Sequence, residues 1–207
     1  MGIFFDFFDG LTARLLGVSS PLGKELDSLS DMVTSGVAPS FILMNILKTS
    51  HIGTWSYIAL FIALFAANRL AKFNIDNRQS HSFLGLPTPA NALFWVSMGL
   101  CFVMPERMAQ ISILQGVTAL LISGTFSHCG VVCLIVMSLL LDILMVSELP
   151  MFSLKVKSLA VRENITQYIF LLGCVVLILL FGMYGIAMSI LWYILLSVIT
   201  VRKTYEQ

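Results

Sequence analysis

Hydrophobic residues run through this chain in long blocks, separated by short polar breaks. A helix needs about 20 mostly apolar residues to cross the ~30 Å hydrocarbon core of a bilayer. Six blocks are read as spanning helices: Gly23–Leu47, Thr54–Lys72, Pro89–Met104, Val131–Val146, Tyr168–Tyr184 and Ile186–Val201. Pro39 is expected to kink the first, whose Gly36 and Ala38 are small enough for close helix packing. Ser19, Ser20 and Pro21 break the chain ahead of it, Pro87-Thr88-Pro89 precede the third, and a tight turn near Gly185 joins the last two. A further block, Ile111–Phe126, is interrupted by Gln115, Gly116, Ser123 and Gly124 and is read as interfacial or re-entrant. The expected fold is all-α, a polytopic transmembrane bundle of about six spans plus an N-terminal stub, forming one membrane-embedded domain over 1–207.

Composition agrees: 58% of residues are hydrophobic, 11% are charged, and the mean hydropathy is +0.94. Those values exclude a soluble globular domain. Charge sets the topology. With the N-terminal carboxylates placed inside, Arg14, Lys24, Arg69, Lys72, Arg78, Lys155, Lys157, Arg162, Arg202 and Lys203 also fall inside, and only Lys48 and Arg107 fall outside. That split requires Ile111–Phe126 not to cross. Cys101, Cys129, Cys133 and Cys174 lie in or beside apolar blocks and are read as unpaired structural thiols. His51, His81 and His128 are isolated, no cleavable signal peptide is visible, and no nucleic-acid partner is expected.

The candidate chemistry lies between Asp6 and Asp31. Asp6 and Asp9 are three apart, and Asp27 and Asp31 four apart, so on helices each pair shares a face. Two bare carboxylates ~4 Å apart repel by about 4 kcal/mol at an effective dielectric of ~20. Four of them together belong at a membrane–water boundary with divalent cations between them. The donors are all hard oxygens, which favours Mg2+ or Mn2+ over zinc, and Mg2+ in such sites also binds substrate phosphates. Gly10, Ala13 and Gly23 let a ligand approach the backbone, and Arg14 can meet a phosphate. A solvated cap between two membrane helices would explain one acidic pair, but not the Gly, Ala and Arg set with it.

Arg69, Lys72 and Arg78 form a basic cluster on the same face. They are read either as positive-inside anchors or as contacts for a lipid phosphate or an amino-acid carboxylate. Glu148 and Lys155 flank Pro150 near the approach to the site. Asp142, inside a span, is read as a polar packing contact. Tyr168, Trp192 and Tyr193 are candidates for interface belts, with a position too deep for a belt as the alternative for Trp192 and Tyr193.

The arrangement Asp6-x-x-Asp9-Gly10-x-x-Ala13-Arg14-x8-Gly23-x-x-x-Asp27-x-x-x-Asp31 resembles the CDP-alcohol phosphatidyltransferase motif at every fixed position. The segments Leu26–Val33, Gly36–Pro39, Arg69–Asn74, Gly85–Ala90 and Met145–Pro150 are similar to the family's bacterial membrane phosphatidylserine synthase branch. The resemblance implies a six-helix catalytic core, a homodimer, and transfer of a phosphatidyl group from CDP-diacylglycerol to L-serine, at the inner (plasma) membrane with the site facing the cytoplasm. It implies that Asp6, Asp9, Asp27 and Asp31 hold Mg2+ or Mn2+. Asp31 would be the general base, and Gly10, Ala13, Arg14 and Gly23 would seat CDP-diacylglycerol. In the family a whole helix and most of a second precede the motif, whereas five residues precede Asp6 here, so the chain is expected to be N-terminally truncated. Three alternatives stay open: another acceptor such as glycerol phosphate or inositol phosphate, an inactive fragment, and a membrane transporter using intramembrane carboxylates.

Overall fold

The computed structural model describes residues 21–50, 52–75, 83–151 and 164–205. Pro21–Asp31 (α1), a π turn at Met32–Val37 and Ala38–Thr49 (α2) form one helical rod. The π turn has a local cause. Pro39 lacks an N–H, and its ring crowds the carbonyl of Ser35 four residues back, so the backbone widens just before it. Within that turn Gly36 is buried against the next helix. A Cβ at Gly36 would lie 3.0 Å from the Ala66 Cβ and 3.6 Å from the Ala63 Cα. Ala38, expected to share this contact, is exposed instead.

A 3-10 turn, Gly53–Ala59, leads into α3, Leu60–Ile75. Then come α4 (Thr88–Val103), α5 (Pro105–Gln110), α6 (Gln115–Thr125), α7 (His128–Val146), α8 (Ile165–Phe181) and α9 (Met183–Tyr205). Among the described residues three stretches are long and apolar enough to cross a membrane: Gly53–Asn74, His128–Val146 and Met183–Thr200. The shorter α4 and α8 are also apolar, and at 1.5 Å per residue they reach roughly 24–26 Å. By the same measure α6 extends only ~16 Å, about half the hydrocarbon core. Its approach is tied down, with Ile113 N–H donating to Leu179 O (3.2 Å) and Leu114 N–H to Leu180 O (3.0 Å). The α5–α6 segment therefore lies against the turn between α8 and α9.

The core is where α2, α3, α4 and α7 meet. Leu43, Ile46 and Leu47 pack with Ala59, Ile62 and Ala66, with Phe94, Trp95 and Met98, and with Leu134, Leu141 and Met145. By contrast α8 has no fully buried residue. It presents Leu171, Leu172 and Leu179 outward, as suits a lipid-facing helix. Its contact with α9 depends on glycine. A Cβ at Gly173 would strike the Trp192 indole, and one at Gly185 would strike the Leu177 carbonyl. The turn itself is at Gly182 (φ +60°), three residues before the expected position. Gly185 serves close packing in the first turn of α9.

Two two-residue strands, Phe83–Leu84 (β1) and Pro150–Met151 (β2), pair antiparallel, Phe83 with Met151 and Leu84 with Pro150. Gly85 N–H donates to Leu149 O (2.9 Å) and Leu86 N–H to Leu144 O (3.1 Å), which clasps the start of α4 to the end of α7. Gly85 has φ +72°, and a Cβ there would lie 2.7 Å from Met145 O and 2.8 Å from Ser147 O. Gly85→Ala is therefore expected to cost on the order of 1–3 kcal/mol and to lower the unfolding midpoint in detergent. Gly116→Ala, whose Cβ would meet nothing within 4 Å, should leave the midpoint unchanged or raise it.

Candidate active site

Gly23, Asp27 and Asp31 recur every four residues along α1, so they lie on one face of it. Gly23 and Asp27 are exposed, and Asp31 is half-buried where the rod enters the bundle. The charges acting on Asp31 are Asp27 and Arg69, of opposite sign. One turn separates the two carboxylates, a spacing of roughly 6 Å that costs up to ~3 kcal/mol at an effective dielectric of ~20. The remaining motif residues, Asp6, Asp9, Gly10, Ala13 and Arg14, lie outside the described residues, as does Arg78. The donors that are described suit a hard divalent cation, because both are carboxylates. Among the described residues no third His, Cys, Asp or Glu joins them.

The C-terminal end of α3 supplies the positive charge. Arg69 is only 8% exposed. An anchor reaching for water would be exposed, so Arg69 is not one. Its Nε has no hydrogen-bond partner among the described residues, and its charge interacts with Asp31 and Tyr193. Tyr193, a belt candidate from the sequence, is instead buried, with its ring 5.7 Å from that of Phe170. Lys72 is engaged: its Nζ lies 3.0 Å from Glu148 Oε1, in the turn between α7 and β2. Asn74, one residue from the end of the same helix, donates from Nδ2 to Ser28 Oγ at 2.9 Å, between Asp27 and Asp31 in sequence. Sequence reading did not single out Asn74, Ser28 or Tyr193 as site residues. Only Asn74 and Ser28 fall within family-like segments.

These bonds put α1, the end of α3 and the end of α7 together at one end of the bundle, away from α5 and α6. An apolar cleft of about 520 Å³ between α4, α6, α7 and α9 lies toward the other end, lined by Gly124, Thr125, Gly130 and Tyr184 among others. No acidic residue lines it. Among the described residues the cysteines are free. Lys155 lies outside the described residues.

Asp142 is fully buried in α7, and neither carboxylate oxygen has a hydrogen-bond partner among the described residues. The polar contact expected for it falls to Ser138, which interacts with it but outside hydrogen-bonding geometry. Ser138, one turn earlier on the same face, is also buried, and its hydroxyl too is unpartnered in hydrogen-bonding geometry.

The family model described as CDP-alcohol phosphatidyltransferase matches residues 1–123. Among curated relatives, the CDP-diacylglycerol–serine O-phosphatidyltransferase of Bacillus subtilis is 41% identical over 88 residues, 42% of this chain and 50% of that protein. The enzyme of the same name from Methanocaldococcus jannaschii is 45% identical over 101 residues, 49% of this chain and 47% of that one. For Helicobacter pylori strain J99 the figures are 35% over 131 residues, 62% and 53%. The chain thus spans about half the length of the curated relatives it matches.

Burial of Asp142 without a hydrogen-bond partner among the described residues has a measurable consequence. Asp142→Asn keeps the shape and removes the ionisable group, so it is expected to stabilise the fold by about 1–3 kcal/mol. Thermal unfolding in detergent checks this, and a lowered midpoint would mean that the carboxylate has a partner.

Proposed function

This chain belongs to the CDP-alcohol phosphatidyltransferase family, and on that premise we propose that it transfers the phosphatidyl group of CDP-diacylglycerol to L-serine, releasing CMP. The observation that carries the reading is the pairing of Asp31 with Asp27 on α1, beside the buried guanidinium of Arg69. Chemistry on a lipid nucleotide needs such a place. The acyl tails stay in the bilayer and the nucleotide in water, so the reacting phosphorus lies at their boundary.

In this reading Asp6, Asp9, Asp27 and Asp31 would hold Mg2+ or Mn2+. Such a cation, when bound, offsets the charge on the pyrophosphate and on departing CMP. The other roles fall to side chains and backbone. Gly10, Ala13 and Gly23 leave room for the nucleotide to lie against the backbone, and Arg14 meets its phosphates. Asp31 accepts the proton of the serine hydroxyl. The serine oxygen bonds to the phosphorus that carries diacylglycerol, and the bond from that phosphorus to CMP breaks. Arg69 and Arg78 are the cations available to a lipid phosphate or to the serine carboxylate. Lys72, held by Glu148, has a structural role at the edge of the site. Residues 1–207 act as one membrane-embedded domain, two copies form the working unit, and the site faces the cytoplasm of the inner (plasma) membrane. The ten-to-two split of basic residues supports that orientation.

The test is CMP release from CDP-diacylglycerol in detergent with Mn2+ or Mg2+. Release should depend on L-serine and fall by about 10²–10⁴-fold in Asp31→Asn. Release with glycerol phosphate or inositol phosphate but not serine would assign a different acceptor. Nucleotide-independent ion flux without CMP release would favour a transporter.

A further inference from the structure

The proposed chemistry requires the carboxylate face of α1 to point in one direction, and α1 has little core of its own to enforce that. Leu22, Leu26 and Leu29 are exposed, and the helix packs mainly against the π turn that follows it. A rotation by one residue, about 100°, would carry Asp27 and Asp31 away from Arg69. The bond from Asn74 Nδ2 to Ser28 Oγ, 2.9 Å long across 46 residues of sequence, opposes that rotation.

We propose that Asn74 is a positioning residue, which fixes the azimuth of α1 through Ser28 and so sets where Asp27 and Asp31 point. Arg69 and Asn74 lie five residues apart on α3, so one helix both supplies the counter-charge for Asp31 and sets the rotation of the helix that carries it. The Lys72–Glu148 pair, 3.0 Å long, holds the same end of α3 to the turn after α7. One such hydrogen bond adds little to the stability of a chain this size. Yet a displacement of about 1 Å at a reacting group costs on the order of a hundredfold in rate. Loss of the bond should therefore be felt in catalysis and hardly at all in folding.

This inference rests on the phosphatidyl-transfer reading for its kinetic arm, so the experiment has a second arm that does not. Asn74→Ala, Ser28→Ala, the double variant and Ser28→Thr are compared in the full chain. Hydrogen–deuterium exchange over 21–31 should accelerate in both alanine variants and stay at the wild-type rate in Ser28→Thr, which keeps the hydroxyl. CMP release should fall about tenfold to a hundredfold in each alanine variant, with the double no worse than the singles. The Mn2+ concentration for half-maximal rate should rise, while the serine KM stays within about twofold. Unchanged exchange over 21–31, or losses that multiply in the double variant, would overturn the proposal. A raised serine KM with kcat intact would also overturn it, making Asn74 a substrate contact. Accelerated exchange in a chain whose wild type releases no CMP would uphold the positioning role and reject the reaction.

Discussion

A carboxylate at the edge of a bilayer needs a positive partner close by, and the described chain offers Asp31 the guanidinium of Arg69. Much of the architecture serves that meeting. Gly36 lets the α1–α2 rod touch α3 at Ala63 and Ala66, the latter one turn below Arg69. The clasp of Gly85 and Leu86 on the end of α7 brings Glu148 to Lys72 on the same end of α3. The attraction between such charges falls off with distance, so the relative placement of α1 and α3 decides how much of it Asp31 receives. The close helix contacts and backbone clasps fix that placement.

Much of this was legible in the sequence because it depends on local rules. Block length gave the helices to within a few residues, and among the described residues three of the six expected spans are long and apolar enough to cross a membrane. Charge asymmetry called for a segment at 111–126 that does not cross, and α6 is too short to do so. The small residue at Gly36 marked a helix contact. The errors arose where two residues of one type compete for a role. Ala38 is small, like Gly36 two residues before it, but faces outward, and Gly182 rather than Gly185 takes the positive φ. Periodicity cannot decide between small residues two or three apart.

What the sequence did not reveal is long-range. Tyr193, on the last helix, interacts electrostatically with Arg69, and Asn74 reaches Ser28 across 46 residues. Neither pairing has a spacing that could betray it. The state of Lys72 is similar: a lysine at an inner boundary reads as a free cation until Glu148 is found beside it. Asp142 is the opposite case, since its position in a span was plain but its lack of a hydrogen-bond partner among the described residues became visible only in three dimensions.

The π turn at 32–37 also bears on how such a chain can change over time. A π turn is an α-helix carrying one extra residue. Whatever lies upstream is turned by about 100° relative to an uninterrupted helix, while everything downstream keeps its packing. Here the upstream part carries Asp27 and Asp31, and the downstream part carries Leu43, Ile46 and Leu47 of the core. Loss or gain of one codon within that turn would leave a foldable bundle whose carboxylates face another way. Insertions and deletions, which the loops at the far end of the bundle can absorb, therefore meet in this single widened turn of helix a strict length constraint imposed by direction rather than by packing.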